Sequence, residues 1–266
     1  MGSLLGLVAL VTGASRGIGA AAAVELGRRG AHVVLVARTQ GGLEETDDAI
    51  RAAGGTATLL PLDLQDGAGL DPVGPTVFDR FGRLDILVHN AGSLGKLTPV
   101  PHIQPKDWDA VVGVNLAAAW RLIRTCAPVL QAAPAGRAVF VTTGVAAAPR
   151  AYWGAYGATK AGMEHLVLSW AAEVATTSLR VNLFDPGVVA TRMRADAMPG
   201  EKAALLAKPA DVAPTLADLC EPGEARHGQR VRASAAAPSP SGRGSRQPAS
   251  LRRLGVRRAF QRLVVV

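Results

Sequence analysis

Short, continuously apolar runs recur along the first 184 residues, and an alanine- or leucine-rich stretch separates most of them from the next. The runs are Leu7–Thr12, His32–Ala37, Thr56–Leu62, Leu84–His89, Arg137–Thr142 and Leu179–Phe184, and Gly228–Ala233 reads as a seventh. Helical stretches are expected at Ala20–Arg29, Leu43–Ala53, Trp108–Ala133 and Tyr156–Ala175; the third is one long helix or two in series, with Pro128 a candidate kink. A strand that is apolar on both faces belongs in a parallel sheet covered on both sides. Alternation with helices, joined by right-handed crossovers, then gives one doubly wound α/β fold. In the third crossover Pro72, Gly74 and Pro75 are expected to delay the helix until after Pro75.

Composition narrows the class. The chain has 266 residues and is 48% hydrophobic, enough for a sizeable core. No run approaches the ~18 apolar residues that span a bilayer. Leu4–Val11 lacks a preceding basic region and runs straight into a glycine-rich turn, so it reads as a strand rather than a signal peptide. Cys126 and Cys220 are far apart, without metal-ligand spacing, and are expected as plain thiols of a cytoplasmic protein that binds no metal. The formal net charge of +8 is misleading: ten arginines and no acidic residue follow Glu224, so the body of the chain is slightly acidic. A nucleic-acid face on that body is not supported. Residues 233–250 contain only Ala, Ser, Pro, Gly, Arg and Gln. The expected division is a folded domain over 1–233 and a disordered basic tail over 234–266. Residues 251–266 mix arginine and apolar side chains around a helical wheel, which argues against a membrane-surface helix.

Thr12-Gly-Ala-Ser-Arg-Gly-Ile-Gly19 joins the first strand to the first helix. Gly13, Gly17 and Gly19 permit a tight turn and close approach to a pyrophosphate, with Ser15, Arg16 and Ile18 between them. The helix beyond offers free N–H groups and a positive dipole, as in a Rossmann-type nucleotide site. The spacing is Gly-x3-Gly-x-Gly, unlike the commoner Gly-x-Gly-x2-Gly, and a bare glycine turn remains the alternative. An NAD site of this architecture carries an acid at the end of the second strand, to grip the ribose 2′-hydroxyl. Here that strand ends Val36-Ala37-Arg38. Arg38 and Arg16 suit a 2′-phosphate, which favours NADP over NAD; solvated surface arginines are the alternative.

Further motifs follow in order: Asp63 after the third strand, Asn90-Ala91-Gly92 after the fourth, Asn115, Tyr156-Gly-Ala-Thr-Lys160, and Pro186-Gly187 with Thr191. In this series, from about Leu7 to Ala233, the chain resembles the short-chain dehydrogenase/reductase family. The resemblance implies that Asp63 contacts adenine, that Asn90, Ala91 and Gly92 stabilise the sheet beside the cofactor, and that Pro186, Gly187 and Thr191 lie over the nicotinamide. It implies catalytic roles for Asn115, Tyr156 and Lys160, with Lys160 also holding the nicotinamide ribose and Asn115 positioning a water in the proton relay. The usual catalytic serine, thirteen residues before the tyrosine, is here Thr143, preceded by Thr142. A threonine offers the same hydroxyl, with a methyl that crowds the substrate. His89 stands where the family often has asparagine and reads as structural.

The chemistry can also be argued directly. Tyr156 and Lys160 are four apart and share one helix face. The ammonium is expected to lower the tyrosine below its ordinary pKa of ~10, so that it exchanges a proton with a carbonyl or alcohol oxygen. The expected activity is an NADPH-dependent carbonyl reductase or alcohol dehydrogenase. A non-catalytic dinucleotide-binding regulator and a polyanion binder acting through the tail are the alternatives. Val188–Lys208 is expected as a lid carrying Met193 and Met198, and Tyr152 and Trp153 as a pocket wall. The resemblance further implies a homodimer or homotetramer pairing through the helices that flank the fifth strand, which carry Trp120 and Trp170. No motif selects among carbonyl or alcohol substrates.

Overall fold

The computed structural model describes residues 2–233. The tail expected over 234–266 lies outside the described residues. In chain order the body runs β1 Val8–Thr12, α1 Gly17–Arg28, β2 His32–Ala37, α2 Gln40–Ala52, β3 Thr56–Pro61, α3 Gly67–Leu70, α4 Val73–Phe81 and β4 Ile86–His89. It continues with α5 Pro105–Val112, α6 Ala118–Ala132, β5 Arg137–Val141, α7 Gly144–Ala147, α8 Gly154–Glu173, β6 Arg180–Asp185, α9 Arg192–Ala197, α10 Pro209–Asp218 and β7 Arg230–Arg232.

The seven strands form one parallel sheet in the order β3-β2-β1-β4-β5-β6-β7. This is the doubly wound arrangement expected from the sequence. The order reverses between β1 and β4, and a crevice opens there beyond the carboxyl ends of the strands. Alternate residues of each strand serve opposite cores, because successive side chains leave a strand on opposite faces. Val8 and Leu10, with Leu87 and Phe140, pack under α4, α6 and α8. Ala9 and Val11, with Val88 and Val139, pack under α1, α2 and α10. Burial on both faces is why the runs read as unbroken apolar segments.

Three local expectations are decided by the structure, the first and third of them as corrections. First, α4 begins at Val73, not after Pro75. Pro75 falls in the first turn, where its missing N–H has no intrahelical acceptor anyway. Gly74 is not a breaker either: a Cβ there would collide with the Thr125 carbonyl, so its bareness lets α4 lie against α6. Second, α5 and α6 form one continuous helix through a π-turn at Gly113–Ala117, and Pro128 is accommodated inside α6. Among the described residues this helix, Pro105–Ala132, is long and apolar enough to cross a membrane by composition alone. Its Ala118, Leu122, Cys126 and Leu130 are instead fully covered in the core beneath the sheet. Third, Trp170 is no surface residue: it is 5% exposed and meets Phe140 edge-on, whereas Trp120 is 45% exposed.

Candidate active site

A cleft of about 800 Å³ lies over the crevice. It is lined by Gly13, Ser15, Arg16, Gly17 and Ile18 of the first loop, Arg38, Asp63, Asn90, Ala91 and Gly92 beyond the other central strands, and Pro186, Gly187 and Thr191 after β6. Thr143, Tyr156 and Lys160 line the same cleft. Of the catalytic and cofactor-binding residues singled out from sequence, all but Gly19 and Asn115 line the cleft. A Cβ on Gly19 would collide with the Gly13 carbonyl and with the Asn90 side chain. Asn90 uses that side chain to donate to the carbonyls of Thr12 and Gly13, at 3.2 Å each. Helix α1 therefore starts hard against the β1 and β4 ends, with its N-terminus turned to the cleft.

Thr12 and His89 explain how those ends are joined. The Thr12 hydroxyl oxygen accepts the N–H groups of Asn90 and Ala91, at 3.1 and 3.2 Å. Its single proton is left for His89 Nδ1, 3.0 Å away, which assigns the imidazole proton to Nε2, a buried atom with no partner among the described residues. His89 is fully buried, and burial, helped by the charge of Lys160, pushes its pKa down to about 3. A neutral imidazole fits the structural reading.

At the nucleotide end Arg38 is two-thirds exposed and stands 3.9 Å from Asp63, a loose pair that leaves the guanidinium available. At the other end, α8 presents Tyr156 and Lys160 on successive turns. Burial pushes the Tyr156 phenol up to about 12; the Thr143 side chain lowers it, and the charge of Asp185 raises it further. Burial brings Lys160 down to about 8, against the opposing charge of Glu164. The expectation that the ammonium would depress the tyrosine is therefore not met here. Lys160 Nζ donates instead to the Val141 carbonyl at 2.8 Å, and desolvation outweighs the neighbouring charge.

Asn115 sits in the π-turn, where single π-turns often accompany function. Its amide hydrogens go to the Ser93 carbonyl (2.9 Å) and Thr159 Oγ1 (3.0 Å), and its oxygen accepts Ser93 N–H at 2.7 Å. The side chain thus pins the loop after β4 to the helix that carries Tyr156. Thr143 caps α7 with its hydroxyl. Trp153 lines the cleft and packs edge-on against Tyr156 at 5.8 Å between centroids. Tyr152 does not join that wall; it is 59% exposed and holds a positive φ of 73°. Met193 lines the cleft, while Met198 lines a smaller neighbouring hollow. Leu94, Val114 and Val188 add apolar side chains to the cleft lining. Sequence reasoning included Val188 in the expected lid but passed over Leu94, Val114 and Ser93, because single apolar or serine residues carry no spacing signal.

The family model for short chain dehydrogenases matches residues 7–202. The chain belongs to that family. Among its relatives is the oxidoreductase YciK of Escherichia coli K12, 36% identical over 210 residues, covering 78% of this chain and 83% of YciK. The 3-oxoacyl-acyl-carrier-protein reductase FabG of Salmonella typhimurium is 32% identical over 206 residues, covering 77% and 83%. A crystal structure of a short chain dehydrogenase from Escherichia coli CFT073, complexed with NADPH, superposes with a TM-score of 0.81 at 34% identity, covering 87% of this chain and 98% of that one.

Proposed function

We propose that this oxidoreductase is an NADPH-dependent carbonyl reductase, with the reverse alcohol oxidation open to it. The observation that carries the reading is one cleft with two chemically distinct ends: exposed arginines at the first, a buried tyrosine and lysine at the second. The cradle fits a dinucleotide. Gly19 lets α1 start hard against Gly13 and Asn90, α1 offers its N-terminal N–H groups to a pyrophosphate, and Arg16 and Arg38 suit a 2′-phosphate. The NADPH-bound relative supports the same choice. Asp63 stands beside Arg38 for the adenosine, and Pro186, Gly187 and Thr191 flank the nicotinamide end. When bound, NADPH supplies the hydride.

Tyr156 gives its proton to the substrate oxygen. Burial keeps the phenol in its protonated form at neutral pH, so the proton is present to be given. Thr143 donates a hydrogen bond to the same oxygen, and Lys160 holds a positive charge beside it. Asn115 keeps α8 in place through Ser93 and Thr159. Apolar walls at Leu94, Val114 and Trp153 suit a carbonyl with an apolar flank. Residues 1–233 constitute the catalytic domain of this reading, and the buried free thiols Cys126 and Cys220 suit a reducing, cytoplasmic setting.

Oxidation of NADPH and of NADH over a panel of ketones, quinones and β-keto esters tests the proposal. Tyr156→Phe is expected to lower kcat by ~10²–10⁴ while NADPH binding, followed by its fluorescence, stays near wild type. A variant within about tenfold of wild type would remove Tyr156 from the chemistry.

A further inference from the structure

Behind the cleft, four segments converge on one guanidinium. Arg230 of β7 donates from Nη2 to the Thr143 carbonyl at 2.7 Å and to Asp185 Oδ2 at 3.1 Å. Its Nη1 lies 3.2 Å from Glu164 Oε1, one turn beyond Lys160 on α8. The Thr142 hydroxyl donates to the same Glu164 carboxylate. Asp185 uses its other oxygen to accept Gly187 N–H at 3.0 Å, so the turn at Pro186 and Gly187 is tied in as well. Arg230 lies 87 residues from Thr143 in the chain. No sequence motif joins them.

The Thr143 carbonyl is shared between Arg230 and the Ala146 N–H, which it accepts at 3.0 Å. The residue ends an extended segment and opens the four-residue α7. Its hydroxyl accepts a long bond, 3.4 Å, from Val145 N–H and faces the Tyr156 phenol, whose pKa it lowers by hydrogen bonding. The peptide carbonyl is the rigid handle through which the residue can be oriented, and Arg230 grips it. A planar guanidinium serves this better than an ammonium, since one fork reaches a carbonyl and two carboxylates at fixed angles. Both carboxylates are largely buried, so the network has little competition from water.

We propose that Arg230 is a positioning residue, which fixes Thr143 against Tyr156 through the Thr143 carbonyl while Glu164 and Asp185 hold the guanidinium. The inference rests on the proposed roles of Tyr156 and Thr143. Anchoring β7 alone would be a different role, because β7 already pairs with β6 through its backbone.

The test uses full-length enzyme with NADPH and, as probes, 9,10-phenanthrenequinone and ethyl acetoacetate. Arg230→Met is expected to lower kcat by up to ~10²-fold, since small misplacements at a reacting centre cost about that much. The KM for NADPH should stay within about twofold. Arg230→Lys should recover a large part of the loss. In a Thr143→Ala background the same Arg230→Met change should cost less than about threefold, because a residue acting through Thr143 has nothing left to position. Equal loss in both backgrounds overturns the inference, as does an unchanged kcat beside an inactive Tyr156→Phe. An active Tyr156→Phe overturns the parent reading instead. Amide exchange of the NADPH complex needs no substrate. Arg230→Met should speed exchange selectively over residues 142–147, and unaltered protection there overturns the inference. If Arg230→Met does not fold, Glu164→Gln, which loosens the grip on the guanidinium, carries the same comparisons.

Discussion

Lys160 illustrates how a functional side chain can oppose the fold that holds it. Its ammonium is fully buried, and its pKa falls from 10.5 to about 8. Below about pH 8 the lysine is charged both folded and unfolded, and the desolvation cost is fully present. Between about 8 and 10.5 the folded protein has released the proton while the unfolded chain still holds it. Stability contributed by this residue therefore rises with pH across that window and is lost as pH falls through about 8. Melting curves of wild type and Lys160→Met should show wild type gaining on the variant as pH rises through the window; a constant gap would contradict the burial argument. Arg38 sits at the opposite extreme, exposed and loosely paired with Asp63. Arg38→Asp should shift the NADPH-to-NADH ratio of kcat/KM by at least about tenfold toward NADH, the equivalent of ~1.4 kcal/mol. A wild type that already prefers NADH would rule out the 2′-phosphate assignment. That arginine was legible in sequence from the missing acid. The direction of the Tyr156 shift was not, because it depends on how deeply α8 is buried.

Among the elements, the β1–α1 junction has the least freedom. Gly19 lies against the Gly13 carbonyl and the Asn90 amide, so even a methyl group there must push α1 off the sheet. Gly19→Ala is expected to destabilise the protein by roughly 1–3 kcal/mol, as overpacking does, and to weaken NADPH binding together with stability. Thermal melting and fluorescence titration check this, and normal affinity in a destabilised variant would separate the loop from the ligand. The glycine spacing announced this junction in sequence. The α3–α4 crossover did not announce itself, since Gly74 and Pro75 look like breakers until α6 lies against them. The π-turn around Asn115 was equally silent: it arises where a helix packs on two partners, the Ser93 loop and Thr159.

For the whole molecule, the outer face of α6 bears on assembly. Trp120 is 45% exposed there, with Arg121 stacked on its ring. We expect a dimer or tetramer pairing through α6 and α8, and Trp120→Glu should shift it toward monomer. Light scattering at micromolar concentration measures both. A monomeric wild type would count against the pairing, and with Trp170 in the core the surface rests on fewer aromatic side chains than the sequence suggested.

What the sequence determined by itself were properties of neighbours along the chain. Apolar runs on both strand faces required a covered parallel sheet, the glycine loop required close backbone approach, and Tyr156 and Lys160 four apart required a shared helix face. What only the tertiary structure decided were properties of groups that meet across the fold. Whether Trp170 faces solvent or Phe140, whether Tyr156 is depressed by a charge or raised by burial, and whether Arg230 meets Thr143 all depend on which surfaces water can reach. Local spacing carries no record of that, since desolvation and hydrogen bonding are set by elements packed from distant parts of the chain.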